Sequence, residues 1–176
     1  MTGRDRLIAA AGELRAYLVP HWAAWKKQRG CQDDPCLSHG MCRFSSAFLL
    51  LALSARWPSG RWRVHQGMAD FCPTDPGVIG REMSRPGGIR DPQGHWHDHC
   101  WVVGRVDGSS VIVDLTADQF GHSPVIVTGA DDPRYRRNWK DAFTRRHLRD
   151  VEHRARGWFE RCPAPPANTR GTCVCS

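Results

Sequence analysis

The sequence has no long hydrophobic run. Its longest apolar stretch, at residues 47–55, falls far below the roughly 18 consecutive apolar residues that indicate a membrane-spanning helix. Near the amino end, the apolar stretch at residues 7–11 is too short for the hydrophobic core of a secretory signal peptide. We therefore expect a protein that has no membrane segment and stays in the cytoplasm.

The sequence also lacks the Cys-x2-Cys spacing that marks most zinc ribbons, although it contains eight cysteines. In a small secreted chain, so many cysteines would suggest a framework of disulfides. Because no export signal is visible, we expect reduced thiols, and each cysteine is a candidate nucleophile, metal ligand or buried apolar residue. We expect no cofactor.

Lysine is scarce, with three residues against 22 arginines, and the formal net charge is +7. Residues 133–161 carry most of this charge, since they contain nine arginines and one lysine against four acidic residues. A basic helix at this position could make weak contacts with a polyanion, nucleic acid included, through phosphate groups. The simpler interpretation is a solvated helix in an arginine-biased sequence.

The length of 176 residues and the hydrophobic content of 40% predict one globular domain with its own core. We place this domain at residues 1–161. Residues 162–176 contain three prolines and three cysteines and predict a flexible tail.

Two helices are predicted in the first third of the chain. Apolar residues recur at intervals of three and four from Leu7 to Trp25 and predict an amphipathic helix, which Pro20 kinks or restarts. After a loop at residues 30–40, a second helix begins between residues 38 and 42 and is apolar on more than one face. We expect this second helix to be buried.

Strands follow in the middle of the chain. Residues 62–67, 99–106, 111–115 and 125–128 have strand patterns, and the second and third of these form a hairpin around Asp107 and Gly108. Residues 73–94 contain nine proline or glycine residues and predict a long loop, which is a candidate lid or groove wall. A further helix is predicted over residues 135–161.

Three short motifs, which follow one another along the chain, carry side chains that could take part in catalysis. Gly40 and Cys42 open the second helix, His99 begins one strand of the hairpin, and Asp114 ends the other. A cysteine in the first helical turn feels the positive end of the helix dipole, which favours the nucleophilic thiolate. The N–H groups there, that of Cys42 included, can donate to an oxyanion, and Gly40 leaves the approach to the sulfur uncrowded.

The length of the hairpin loop decides which carboxylate can contact His99, because side chains alternate between the two faces of a strand. With a two-residue loop, His99 faces Thr116, and Asp114 is its diagonal neighbour on the same face. With a four-residue loop, His99 faces Asp118, which becomes the rival carboxylate. A three-residue loop puts Asp114 on the opposite face. The two-residue loop favours a Cys42–His99–Asp114 triad.

These motifs, read as Gly-x-Cys, His-x-Trp-Val and Asp-x-Thr between Gly40 and Thr116, resemble the transglutaminase-like branch of the papain-like cysteine protease superfamily. The resemblance implies an α+β fold in which the helix with the cysteine packs on an antiparallel sheet that carries the histidine and the acid. It also implies a thiol hydrolase or acyltransferase that works through a thioester, with Cys42 as nucleophile, His99 as base and Asp114 as orienting acid. The expected substrate is a peptide or protein, cut at a peptide, isopeptide or side-chain amide bond.

Four more residues are candidates for oxyanion or substrate binding, together with Gly40. Gln32 lies in the loop before Cys42, where papain-like enzymes have an oxyanion-donating glutamine; a solvated loop residue is the alternative. Trp101 could be a stacking platform for a substrate such as a base, and the simpler interpretation is that it belongs to the core or the cleft wall. Asp118 and Gln119 belong to the segment after Asp114 that resembles a subfamily signature.

A metal site is the rival interpretation of the same region. His95, His97 and His99 alternate along one predicted strand face, and further ligands could come from three residues near the second helix: Cys36, His39 and Cys42. No standard zinc spacing supplies the fourth ligand, so we assign no metal. A non-enzymatic metal- or nucleic-acid-binding module stays as the alternative function.

Overall fold

The computed structural model describes residues 2–69, 85–138 and 145–163, and its described part is of mixed α+β class. The helices are α1 (Gly3–Gln28), α2 (Cys42–Arg56) and α3 (Arg145–Arg161). The strands are β1 (Arg63–Gly67), β2 (Gly88–Arg90), β3 (Trp96–His97), β4 (His99–Val106), β5 (Ser109–Asp114), β6 (Ile126–Gly129) and β7 (Tyr135–Arg136). The predicted tail beyond residue 163 and residues 73–84 of the predicted loop lie outside the described residues.

Helix α1 begins with a capping box, in which the Thr2 hydroxyl accepts a hydrogen bond from the Asp5 N–H and the Asp5 carboxylate accepts one from the Thr2 N–H. The predicted restart at Pro20 is wrong, because the helix continues through it. A proline ring displaces the carbonyl four residues earlier, here that of Ala16. Both residues are exposed, so water can satisfy the freed carbonyl.

A four-stranded antiparallel sheet has the order β1-β4-β5-β6. Strands β4 and β5 are joined by a two-residue turn, since Val106 pairs with Ser109. Asp107 and Gly108 have φ values of 50° and 81°, the left-handed backbone that such turns require. This result confirms the two-residue loop on which the predicted triad depends.

A smaller sheet has the order β3-β2-β7 and corrects two predictions. Strand β2 lies inside the predicted loop at residues 73–94, and strand β7 lies at the start of the predicted helix over residues 135–161. Helix α3 covers Arg145–Arg161, and residues 139–144 of the predicted helix lie outside the described residues. These strands are two or three residues long, and their pairing joins segments distant in sequence, so no local periodicity announces them.

Helix α2 packs on the four-stranded sheet and against α3, which confirms the prediction of a buried second helix. Phe48 and Leu53 of α2 have no exposed surface, and each such burial stabilises the fold by about 1.5–3 kcal/mol. The core around them combines both other helices and the sheet: Leu7, Leu14, Leu18, Trp22, Val102, Val113, Ala155 and Trp158. This packing holds the first turn of α2 against the beginning of β4.

None of the described helices has both the length and the apolar character needed to span a membrane.

Candidate active site

The first turn of α2 presents Cys42 to a cavity. Gly40 has a φ value of 74°, a left-handed conformation that turns the chain into the helix, and Met41 next to it is fully buried. Met41 occupies the N-cap position and makes no side-chain capping bond. The N–H groups of the first turn are therefore left without a side-chain cap, next to the partly exposed thiol of Cys42.

His99 and Asp114 form a buried pair. The Nε2 atom of His99 lies 2.7 Å from Oδ2 of Asp114, and both residues are only 1% exposed. The pairing of Val102 with Val113 sets this contact, because it places Asp114 diagonally across from His99 on the same sheet face. The carboxylate expected from the sequence is thus the one that contacts the imidazole.

Three further hydrogen bonds hold the Asp114 carboxylate in place. Its Oδ1 atom accepts the Thr116 N–H at 2.9 Å and the Thr116 hydroxyl at 3.2 Å, and its Oδ2 atom accepts the Tyr135 hydroxyl at 2.9 Å. Burial raises the pKa of Asp114, but the charge of His99 and these donors outweigh burial and lower it. Asp114 is an anchored anion beneath the imidazole.

The second ring nitrogen of His99, Nδ1, is the one that does not contact Asp114. It is buried and has no hydrogen-bond partner among the described residues. Burial lowers the pKa of His99, yet the charge and hydrogen bond of Asp114, reinforced by Cys42, raise it to about 10. A pKa of about 10 favours the protonated imidazole near neutral pH.

The pKa of Cys42 is held well below its usual range. The largest cause is the Cys100 thiol, which acts as a hydrogen-bond donor to the Cys42 sulfur; burial opposes it, and His99 supplies the next favourable contribution. The backbone N–H of Cys100 adds a smaller one. These contributions favour the Cys42 thiolate over the neutral thiol, and the thiolate is the reactive form of a cysteine.

Aromatic rings fix the orientation of the His99 imidazole. The ring stacks on Trp101 at a centroid distance of 6.2 Å and meets the edge of Phe120 at 5.0 Å. Trp101 is 2% exposed and also contacts Tyr135 at 5.3 Å. Trp101 is therefore part of the core behind the histidine and no substrate platform, which resolves the alternative left by the sequence.

Asp118 and Gln119 connect the segments on either side of the site, and Gln119 also lines the cavity described below. Asp118 forms an ion pair with Arg15 at 2.6 Å and accepts the Ser38 hydroxyl at 2.6 Å, so it is not the partner of His99. Gln119 donates to the Thr116 carbonyl at 2.8 Å and accepts the Gly40 N–H at 3.3 Å. Together they tie the loop before Cys42 to the segment after Asp114.

A cavity of about 690 Å³ opens over the cysteine and the histidine. Its walls include three aromatic residues, Trp25, Phe44 and Phe120, and side chains of both charges. Gln32 is exposed in its loop and is not among the described residues that line this cavity, so the expected oxyanion role of Gln32 has no support in the geometry.

The sequence analysis missed Gln66, a second glutamine that does line the cavity. Gln66 lies on β1 opposite Cys100, is 4% exposed, and has a side-chain oxygen without a hydrogen-bond partner among the described residues. The amide can present either its oxygen or its NH₂ group to a bound molecule. Strand alternation at residues 62–67 places it on an inward face, but only pairing with β4 brings it to the cysteine.

The three histidines do not gather as a metal site would require. The prediction of one shared strand face is wrong, because His97 ends β3 in the small sheet whereas His99 begins β4 in the large one. His97 contacts Asp91 at 2.8 Å, and His95 lies 3.4 Å from the same carboxylate. Among the described residues, no group of three His, Cys, Asp or Glu side chains is arranged to hold a metal ion.

The arginine-rich segment forms α3 with one buried face, on which Val151, Ala155 and Trp158 lie. Arg149 and Arg156 are exposed. The geometry is that of an amphipathic surface helix, and polyanion binding by it stays a prediction.

No family model matches the chain, and searches of curated proteins and of solved structures found no match either.

Proposed function

We propose that this chain is a thiol hydrolase or acyltransferase of the transglutaminase-like, papain-like kind, with Cys42 as nucleophile, His99 as acid and base, and Asp114 as orienting acid. The observation that carries the proposal is the arrangement of His99 between a buried carboxylate and a thiol of lowered pKa. Three groups that belong to different elements converge in the order that nucleophilic catalysis by cysteine needs.

In the first half-reaction, the Cys42 thiolate attacks the carbonyl carbon of an amide. The carbonyl electrons move to the oxygen, and the uncapped N–H groups of the first α2 turn are placed to stabilise this oxyanion. When the C–N bond breaks, Nδ1 of His99 gives its proton to the departing amine. The acyl group then remains on Cys42 as a thioester.

In the second half-reaction, His99 is neutral and acts as a base. It takes a proton from water, whose oxygen attacks the thioester carbonyl, and the C–S bond breaks to restore the thiolate. An amine in place of water would give acyl transfer instead of hydrolysis. We favour water, and the substrate is a peptide or protein cut at a peptide, isopeptide or side-chain amide bond.

The experiment that tests this proposal is the trapping of an acyl-enzyme. The purified chain is incubated with a p-nitrophenyl ester, quenched in acid, and its intact mass and peptides are measured. We expect one acyl group on Cys42, absent in Cys42→Ala and retained in Cys31→Ser, which removes an exposed thiol outside the cavity. Acylation that is spread over several cysteines, or that persists in Cys42→Ala, would contradict the proposal.

A further inference from the structure

Two thiols line the cavity, and the proposed mechanism uses only one. Cys100 lines the same cavity as Cys42, and both are unpaired thiols in the structure. Cys100 shares a strand face with Val102, which packs in the core with α2, so its side chain points toward the helix that begins with Cys42. His99, one residue earlier, belongs to the alternate face and reaches Cys42 only because β4 begins there.

The two thiols differ in access and in charge state. Cys42 is partly exposed to the cavity, whereas Cys100 is 1% exposed. The Cys42 thiol is the more acidic of the two, because its pKa is lowered and that of Cys100 is raised by their contact with each other. A small oxidant that enters the cavity therefore reaches the more reactive sulfur first, and Cys100 lines the same cavity.

We propose that Cys42 and Cys100 form a reversible disulfide when the protein meets a peroxide, and that this bond is an oxidation switch of the site. First, the Cys42 thiolate attacks one peroxide oxygen, the O–O bond breaks, and Cys42 becomes a sulfenic acid while hydroxide leaves. Second, the Cys100 sulfur attacks the sulfenic sulfur and the S–O bond breaks. The departing hydroxide takes the Cys100 proton and leaves as water, so that a peroxide is reduced and two thiols are oxidised.

The charges around Cys100 set the order of these steps. The pKa of Cys100 is well above its usual range, first because its proton is shared with Cys42, then because of burial and the negative charge of Cys42. Arg43 acts in the opposite direction, through both its charge and a hydrogen bond. Oxidation of Cys42 to a neutral sulfenic acid removes the thiolate contributions, and Arg43 then favours ionisation of Cys100 when its attack is needed.

The consequence for activity rests on the proposed function, but formation of the bond does not. A disulfide removes the nucleophilic electron pair of Cys42 and protects its sulfur from irreversible oxidation. Thiol reductants attack the disulfide and return both cysteines to the reduced state. Site activity would thus follow the ratio of peroxide to thiols.

The test treats the reduced full-length chain with stoichiometric hydrogen peroxide, blocks free thiols with iodoacetamide, and measures intact mass and non-reduced tryptic peptides. Cleavage after Arg29 and Arg43 leaves Cys42 in one peptide with two other cysteines, so fragment spectra must assign the linked sulfur. We expect the wild type to lose two hydrogens and to join Cys42 to Cys100. Dithiothreitol should then restore alkylation of Cys42 completely.

The variants Cys100→Ser and Cys100→Ala should instead gain two or three oxygens on Cys42, and reductant should restore less than roughly a tenth of its alkylation. Cys31→Ser should behave as wild type. A link from Cys42 to any other cysteine, or equal recovery with and without Cys100, would overturn the inference. Because the readout is mass, a chain that forms this bond but acylates nowhere would contradict only the proposed function.

Discussion

Replacement of Asp114 by asparagine tests the central pair, because it removes one charge and keeps the size of the side chain. Asparagine can still accept the Thr116 N–H through its carbonyl oxygen, so the end of β5 should keep its local structure. What is lost is the anion that lies 2.7 Å from Nε2 of His99. The variant therefore separates the electrostatic role of Asp114 from its place in the fold.

The magnitude follows from the pKa of His99, which is about 10 against an ordinary value of 6.5. Such a difference is worth about 5 kcal/mol in favour of the protonated ring, and Asp114 is the largest favourable cause. In Asp114→Asn, the pKa of His99 should fall toward its ordinary value. Because the imidazolium is one of the causes that lower the pKa of Cys42, this pKa should rise in the variant, and the thiolate population at pH 6 should drop.

The assay is the rate of iodoacetamide alkylation of Cys42 from pH 5 to pH 10, measured by peptide mass. At pH 6, Asp114→Asn should react more slowly than the wild type, and its profile should be shifted to higher pH. Acyl transfer should fall by about 10³–10⁴-fold, as in triads whose acid is made an amide.

The matched control is Asp118→Asn, which loses the ion pair with Arg15 instead. This variant should melt at a lower temperature and keep the wild-type alkylation profile. An unchanged profile in Asp114→Asn, or a shifted one in Asp118→Asn only, would refute the assignment of the third triad member.

Three further predictions follow from other parts of the structure. His99→Ala should abolish the selective alkylation of Cys42, whereas His97→Ala, which breaks a contact with Asp91, should keep most of it. The reverse result would contradict the assignment of His99 as the base. Burial, with the charges of Arg137 and Arg63, lowers the pKa of His65 to about 4. His65 therefore takes up a proton near pH 6.5 in the unfolded chain but only near pH 4 in the folded chain. The free energy of unfolding should fall as pH drops from about 6.5 to about 4, by about 1 kcal/mol after solvent screening. Denaturant titrations of wild type and His65→Gln at both pH values measure this, and equal pH dependence in the two would contradict it. Neutralising the exposed Arg149 and Arg156 should weaken any polyanion binding and reduce its salt dependence, while Cys42 alkylation stays unchanged. If the wild type binds a polyanion at physiological salt and the variant loses activity, a polyanion would be the substrate.

Much of the fold was predictable wherever local periodicity governs it. The amphipathic pattern of α1, the apolar faces of α2 and the hairpin around Asp107 and Gly108 all appear where the sequence places them. The pattern could not reveal β2 and β7, since each is too short to show a period of its own. They exist because β2 lies between β3 and β7 in the small sheet, where Ile89 pairs with His97 on one side and with Tyr135 on the other.

In the candidate site, too, the contacts set by local backbone geometry were predictable and the others were not. The contact of His99 with Asp114 was predictable because a two-residue turn sets strand register, and register sets which side chains share a face. The roles of Gln32 and Gln119 were not predictable, because the sequence of a loop does not fix the direction in which a side chain points. Gln32 faces solvent, and Gln119 holds Gly40 in place.

The sequence by itself determined that Cys42 lies at a helix start and that a hairpin turns at Asp107 and Gly108, and it favoured Asp114 over Asp118 as the carboxylate near His99, because these features follow from backbone geometry over a few residues. Only the tertiary structure decided that Tyr135 anchors the Asp114 carboxylate and that Gln66 and Cys100 line one cavity with Cys42. The physical reason is that these contacts join elements far apart in the chain. They depend on how α2 and the small sheet pack, and packing between distant segments leaves no periodic trace in the order of the residues.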